Sequence, residues 1–345
     1  MAGPETPRDW DDPGDTPEED LWFLPGPLDD DAPAPPGAPP LPLADRRALF
    51  DPAEWRAAQD AHSGDLARLT QVFGELDVRL RGAAPGIRQR LALCEAADLS
   101  WWTGDRLSSE RLGLWVGLRI GSTEDTEQAL ARAGWAVRRL SGGRAPVEGL
   151  AAFLERPDDD PDPGAIPDLA ELLASVEPLH PVVQSAILFS AWRMIGPERA
   201  RDHEAAVLAA RHAAGMSRLP GQGALFLPLS MTGPGAFRGQ GAPKQKLAAW
   251  IAGAEQATLA ALMELDRLTD WRRRADAATA DLSGRTPARL LDVFEGWPQV
   301  TAPLAEVQTG ASRAAVQRNI DILAERGLIR EVTGQGRYRV WVVAQ

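Results

Sequence analysis

Apolar residues recur at helical spacing over most of this chain. Leu66, Leu69, Val72, Phe73 and Leu76 follow an i, i+3, i+4 rhythm, which puts them on one face of a helix. The rhythm returns from Ile87 to Leu99 through Leu91, Leu93, Cys94 and Ala97. It returns again through Ala129, Leu130, Ala133 and Val137, behind a start signal at Thr123-Glu-Asp-Thr126. Pro181 to Met194 carries Val183, Ala186, Ile187 and Ala191 on one face, with helices expected on either side, at Leu169–Val176 and Glu198–Ala214. A long amphipathic stretch from Lys244 to about Leu282 aligns Leu247, Trp250, Ile251, Ala254, Leu259, Leu262, Met263 and Leu265. Asp51 before Pro52 reads as an N-cap followed by proline at the first helical position. Two stretches break the pattern. Leu219 to Met231 is not helical, and Gly233 to Gly241 is glycine-rich. The glycines do not make a phosphate cradle, because Lys244 follows a proline and has no Ser or Thr after it, so a mobile surface loop is expected there.

The last sixty residues change character. Leu290, Leu291 and Phe294 mark a short helix within Arg289–Phe294, Ala302 to Val307 a second, and Thr309-Gly310 a turn. Ser312 then caps a third helix whose Val316, Ile320 and Leu323 face inward with Leu328. Two short strands follow around Thr333-Gly-Gln-Gly336. Three helices and a wing predict a winged helix-turn-helix, so the fold class is mainly α with a small β-wing at the C-terminus. In such a module the start of the third helix enters a major groove of double-stranded DNA. Ser312, Arg313, Ala314, Gln317 and Arg318 are the candidate contacts on that helix. Arg and Gln are the side chains able to make bidentate contacts to guanine and adenine edges. Gln335, Arg337 and Arg339 are the candidates on the wing, with the two arginines at alternate strand positions where they would hold phosphates.

Charge tempers this picture. The formal net charge is −12, but residues 1–45 hold twelve acids against Arg8 alone and supply −11 of it. From Arg285 to Gln345 eight arginines face six acids, a modest excess of two. The N-terminal stretch is rich in Pro, Asp and Glu and reads as a disordered tail, with one acidic-hydrophobic patch at Leu21-Trp-Phe-Leu24. A Pro- and Asp-rich linker at Glu155–Pro167 divides the remainder. The expected domains are therefore a tail at 1–45, a helical region at 46–155, a second helical domain at 165–282 and the winged helix at 286–345. No apolar run is long enough to span a membrane and no signal peptide is evident, so a cytoplasmic protein is expected. The single cysteine, Cys94, leaves no internal disulfide and no Cys-based zinc site.

The chain offers little for catalysis. Its four histidines, His62, His180, His203 and His212, show no metal-binding spacing, and no nucleophile elbow is present. His180, before Pro181, reads as a capping or packing residue. The acids Asp158–Asp160 and Asp162 read as a solvated loop, and Trp101 and Trp102 as core or interface rather than a base-stacking pair. No cofactor, no metal and no enzymatic activity are expected.

Leu179-His-Pro-Val-Val-Gln-Ser-Ala-Ile-Leu-Phe-Ser-Ala-Trp-Arg-Met-Ile-Gly-Pro197 resembles the entry to the Fic fold, as do Leu225–Ser230 and the helix at 244–265. The resemblance covers about residues 165–345. It implies a helical Fic-like domain with an appended winged helix. Fic enzymes use a motif histidine as general base and a glycine-rich loop with an arginine to hold nucleotide phosphates. Here Gly196 stands in place of the histidine, and Glu198-Arg-Ala-Arg-Asp-His203 in place of the loop. Arg199 and Arg201 keep the means to touch an anion, but the departure implies a degenerate core without AMP-transferase activity. The ending Gly-Leu-Ile-Arg-Glu-Val-Thr-Gly-Gln-Gly-Arg-Tyr-Arg-Val-Trp-Val-Val is also similar to a rhizobial plasmid-type family of alphaproteobacteria. That family joins a helical domain without an assigned role to a C-terminal helix-turn-helix DNA-binding domain. Two readings follow. One is a DNA-binding transcriptional regulator, expected to be a homodimer because one winged helix buries little surface. The other is a catalytically inactive Fic-like scaffold that binds a protein or nucleotide, with the winged helix as its docking module.

Overall fold

The computed structural model describes residues 50–118, 124–155, 165–194, 199–333 and 339–344. Thirteen α-helices, three short 3₁₀ helices and one three-stranded sheet make up the regular structure among them. The expected mainly α class with a small C-terminal sheet is what the chain adopts. The tail at 1–45, the Leu21–Leu24 patch, the acids at 158–162 and the Gly196-Pro197 pair lie outside the described residues.

Helix α1 (Pro52–Ala61) begins where its cap predicts: the Asp51 carboxylate accepts the Ala53 N–H at 2.8 Å. Helix α2 (Ser63–Arg81) buries Leu66, Leu69, Phe73, Leu76 and Leu80, the face its spacing marks. Helix α3 (Pro85–Thr103) is the centre of the molecule. Leu91, Ala92, Leu93, Ala96, Ala97 and Leu99 are all buried, and so are the charged Arg90 and Glu95, so the helix is enclosed on most sides. It packs against α4 (Ser109–Leu118), α5 (Glu124–Ser141), α9 (Arg199–Ala213) and α11 (Thr286–Gly296). Helix α4 has no counterpart in the apolar rhythm of the sequence. Short α6 (Leu150–Leu154) and α7 (Ala165–Ser175) lead to α8 (Pro181–Met194), which pairs with α9 along its length.

Helix α10 (Pro243–Ala278) runs for 36 residues, roughly 54 Å at 1.5 Å per residue, and packs on α1, α2 and α8. No helix among the described residues is long and apolar enough to cross a membrane. The glycine-rich stretch before α10 is not a free surface loop. Ala236 and Phe237 are buried, and Phe237 stacks on Phe189 at 5.1 Å between ring centroids, beside Trp102 and Trp250. Gly253 of α10 makes room for it: a Cβ there would lie 2.0 Å from the Ala236 nitrogen. Glycine here serves close backbone approach, not mobility. Trp101 is exposed, while Trp102 packs into this aromatic cluster.

The C-terminal elements run α11, β1 (Val300–Thr301), α12 (Ala302–Thr309), α13 (Arg313–Glu325), β2 (Ile329–Glu331) and β3 (Val340–Val343). The sheet is antiparallel with order β1-β3-β2, in register Val300 with Trp341 and Ile329 with Val343. This is the winged-helix arrangement. Strand β1, two residues long, is an addition to the two strands expected from the sequence. One apolar core runs unbroken from Phe50 to Val343, so helices on either side of the Pro- and Asp-rich linker pack on one another.

Candidate nucleic-acid interface

The turn before α13 is built from Thr309 and Gly310. Gly310 takes a left-handed conformation (φ +65°) that closes α12. Arg289 of α11 donates to the Thr309 carbonyl at 2.8 Å and secures that helix end. Ser312 caps α13 as its sequence predicts, its hydroxyl accepting the Ala315 N–H at 3.4 Å. Val316, Ile320 and Leu323 are fully buried against α11 and α12. The opposite face carries Ser312, Arg313, Ala314 and Arg318, all exposed, with Gln317 half-buried between them. Four of the eight candidate contacts thus lie open on one helix face. Arg313 and Arg318 have no hydrogen bond or ion pair among the described residues. Gln317 is less free, because its amide donates to Asp321 at 2.8 Å one turn further on.

The wing divides its candidates. Gln335 and Arg337 lie outside the described residues. Arg339 is described, and its guanidinium is engaged: it pairs with Glu331 of β2 at 2.6 Å and sits 5.0 Å over the Trp341 ring. A phosphate would have to displace that carboxylate. Arg330, which is not among the eight candidates, is exposed on β2 with no partner among the described residues. Alternation along β2 sets its direction, a signal three residues long and too short to read without the pairing.

Several bonds join this module to the helices before it. The buried Trp271 of α10 donates its indole N–H to the Leu328 carbonyl at 2.7 Å. Arg326, at the end of α13, makes a bidentate pair with Asp281 at 2.6 and 2.8 Å. Arg272 of α10 reaches Asp292 at 2.7 Å and Glu295 at 2.6 Å on α11. Arg90 of α3, itself buried, pairs with Glu264 and donates to the carbonyls of Phe294 and Trp297. Helices α3 and α11 meet where Gly86 and Gly296 touch, each leaving only 3.0 Å for a Cβ on the other. Two arginines of the mild basic excess, Arg289 and Arg326, though exposed, are therefore engaged by partners within the chain.

The histidines have partners within the protein. His180 caps α8 by accepting the Val182 N–H, and its own N–H donates to Gln59. His212 lies 2.7 Å from the Gln184 amide oxygen, and burial pushes it down to about 4. His203, on the same helix, faces Thr103 and Asp105, and burial again pushes it down to about 4. The two occupy different faces of α9 with different partners, as their spacing predicts. Arg201 lies over the Trp192 ring.

No protein-family model matches this chain, and no curated protein matches it.

Proposed function

We propose that this chain is a DNA-binding protein, a cytoplasmic transcriptional regulator that reads double-stranded DNA with the start of α13 and acts as a homodimer. The observation that carries the reading is the open face of α13, where Arg313 and Arg318 stand exposed beside the Ser312 cap, uncommitted among the described residues. A helix N-terminus with uncommitted guanidiniums suits both phosphate contact and guanine readout. The modest charge of the module points to two half-sites rather than one.

The test is binding to fluorescent genomic DNA fragments at low salt, comparing the wild type with the Arg313→Ala/Arg318→Ala variant. The expected result is a loss of about 10- to 100-fold in affinity, with the salt slope falling by about two. Absence of wild-type binding, or a variant that binds equally well, overturns the reading. One observation favours the second reading, a catalytically inactive Fic-like scaffold with a docking wing: the module is bonded to the helical body by Trp271, Arg272 and Arg90. Capture of a nucleotide or protein without DNA binding would support that alternative.

A further inference from the structure

A cleft of about 620 Å³ lies where the helical body meets the wing. Its walls come from α3, α4, the segment at 231–232, α10, and strands β2 and β3. The volume is in the range of small-molecule sites, roughly 300–1,000 Å³.

Three features make this more than a gap. First, one wall is built with care. Glu95 is fully buried on α3, and its carboxylate accepts the N–H groups of Leu229, Ser230 and Met231 at 2.9 to 3.2 Å. Asp98, one turn further, faces the backbone of Thr232. Glu95 thus holds three consecutive backbone donors, with Asp98 beside the fourth. Thr232 is held at φ +92°, a conformation that strongly disfavours a β-branched residue, and it lines the cleft.

Second, charge within the cleft is sorted by element. Glu264 is neutralised by Arg90 and Arg267. That leaves Asp98 and Glu110 on α3 and α4 without a cation, and Arg330 on β2 without an anion, among the described residues. Third, Met231, Met263, Pro298 and Val342 give the cleft an apolar lining. Met263 is 71% exposed there.

We infer that this cleft binds a small zwitterion with an apolar side chain, of amino-acid to dipeptide size, its ammonium on Asp98 and its carboxylate on Arg330. Because β2 and β3 form part of the wall, an occupant ties the wing to α3 and α10. Occupancy then alters affinity for DNA, a consequence that rests on the proposed function, whereas the binding itself does not.

The experiment uses the full chain. Aliphatic L-amino acids and their dipeptides are screened by thermal shift, and any positive is titrated by calorimetry. Isopentylamine and 4-methylpentanoate, which each lack one of the two charges, are run beside them. At least one zwitterion is expected to raise the melting temperature by a few degrees, with both single-charge compounds at least tenfold weaker. Asp98→Asn and Arg330→Gln are each expected to weaken binding at least tenfold. If no zwitterion in the panel binds, if the single-charge compounds bind equally well, or if both folded variants bind like the wild type, the inference is overturned. The single-charge compounds decide the matter even if a variant fails to fold. DNA affinity is then measured with and without the bound zwitterion, and a change of about fivefold or more is expected. Zwitterion binding without any DNA binding would sink only the proposed function; DNA binding with no zwitterion binding would sink only this inference.

Discussion

Individual residues carry most of the measurable consequences. Glu95 organises the 229–231 segment through three backbone hydrogen bonds, and burial pushes its carboxyl up to about 7 despite them. Glu95→Gln replaces one acceptor oxygen with an NH₂ group facing a backbone donor. The variant is expected to lose about 1–3 kcal/mol at pH 7, measured by urea unfolding. The pH dependence follows from the same shift. A carboxyl raised in the fold stabilises it fully below the unfolded value near 4.5 and loses that contribution as pH rises to about 7. His203 and His212 work in the opposite sense. They stay neutral in the fold down to about 4, whereas the unfolded chain takes up protons near 6.5, so their contribution is full above 6.5 and lost as pH falls. The opposing slopes overlap between about 4.5 and 6.5. Removing Glu95 removes one of them, so the variant's stability should rise more steeply than the wild type's from pH 5 to pH 7. Equal slopes in the two urea series would show that Glu95 is not the group responsible. None of this was legible in the sequence. Glu95 is one of several charged residues on α3, beside Arg88, Arg90 and Asp98, and its partners lie some 135 residues further on.

Among elements, the contact of α3 with α11 decides how the wing module is held. Gly86 and Gly296 permit the two backbones to meet, and a methyl group on either would press on the other's Cα at 3.0 Å. Gly296→Ala is expected to cost about 1–3 kcal/mol through overpacking and to loosen the module from the body. The readout is hydrogen exchange: protection should fall in α11 and α3 while α8 and α9 keep theirs. Uniform loss, or none, would mean that this contact does not control attachment. Element identity was largely readable from periodicity. Helix α2 follows its apolar spacing, and α13 follows both its spacing and its Ser312 cap, whereas α8 starts at Pro181 as expected but is buried on nearly every side rather than on one face. Helix α4 was missed because its partly buried face follows α3 and the Trp297–Pro298 segment rather than a regular stripe. Strand β1 was missed because two residues carry no period, and only pairing with Val340 and Trp341 defines it.

At the scale of the whole molecule, the unbroken core from Phe50 to Val343 predicts cooperative unfolding. Tryptophans such as Trp55, Trp192, Trp271 and Trp341 are spread across this core and almost fully buried. Fluorescence and far-UV circular dichroism are therefore expected to report one coincident urea transition. A separate early transition of the wing module would show that the bonds from Trp271 and Arg272 do not couple it to the body. The same coupling makes the cleft between α3, α10 and the wing a place where a small ligand acts on the exposed face of α13.

The amino-acid sequence by itself determined the helical class, the caps at Asp51 and Ser312, and the face of α13 that turns outward. Those properties are local: a cap needs a neighbour within three residues, and a helix face needs only period 3.6. The tertiary structure decided the rest. It gave Arg339 to Glu331, Arg289 to the end of α12 and Arg326 to Asp281, so charge counted along the chain overstated what the module has free for phosphates. It also drew the glycine-rich stretch into the core and brought Asp98 and Arg330 to one cleft. Pairings between residues tens to hundreds of positions apart depend on how whole helices pack, and no local pattern encodes them.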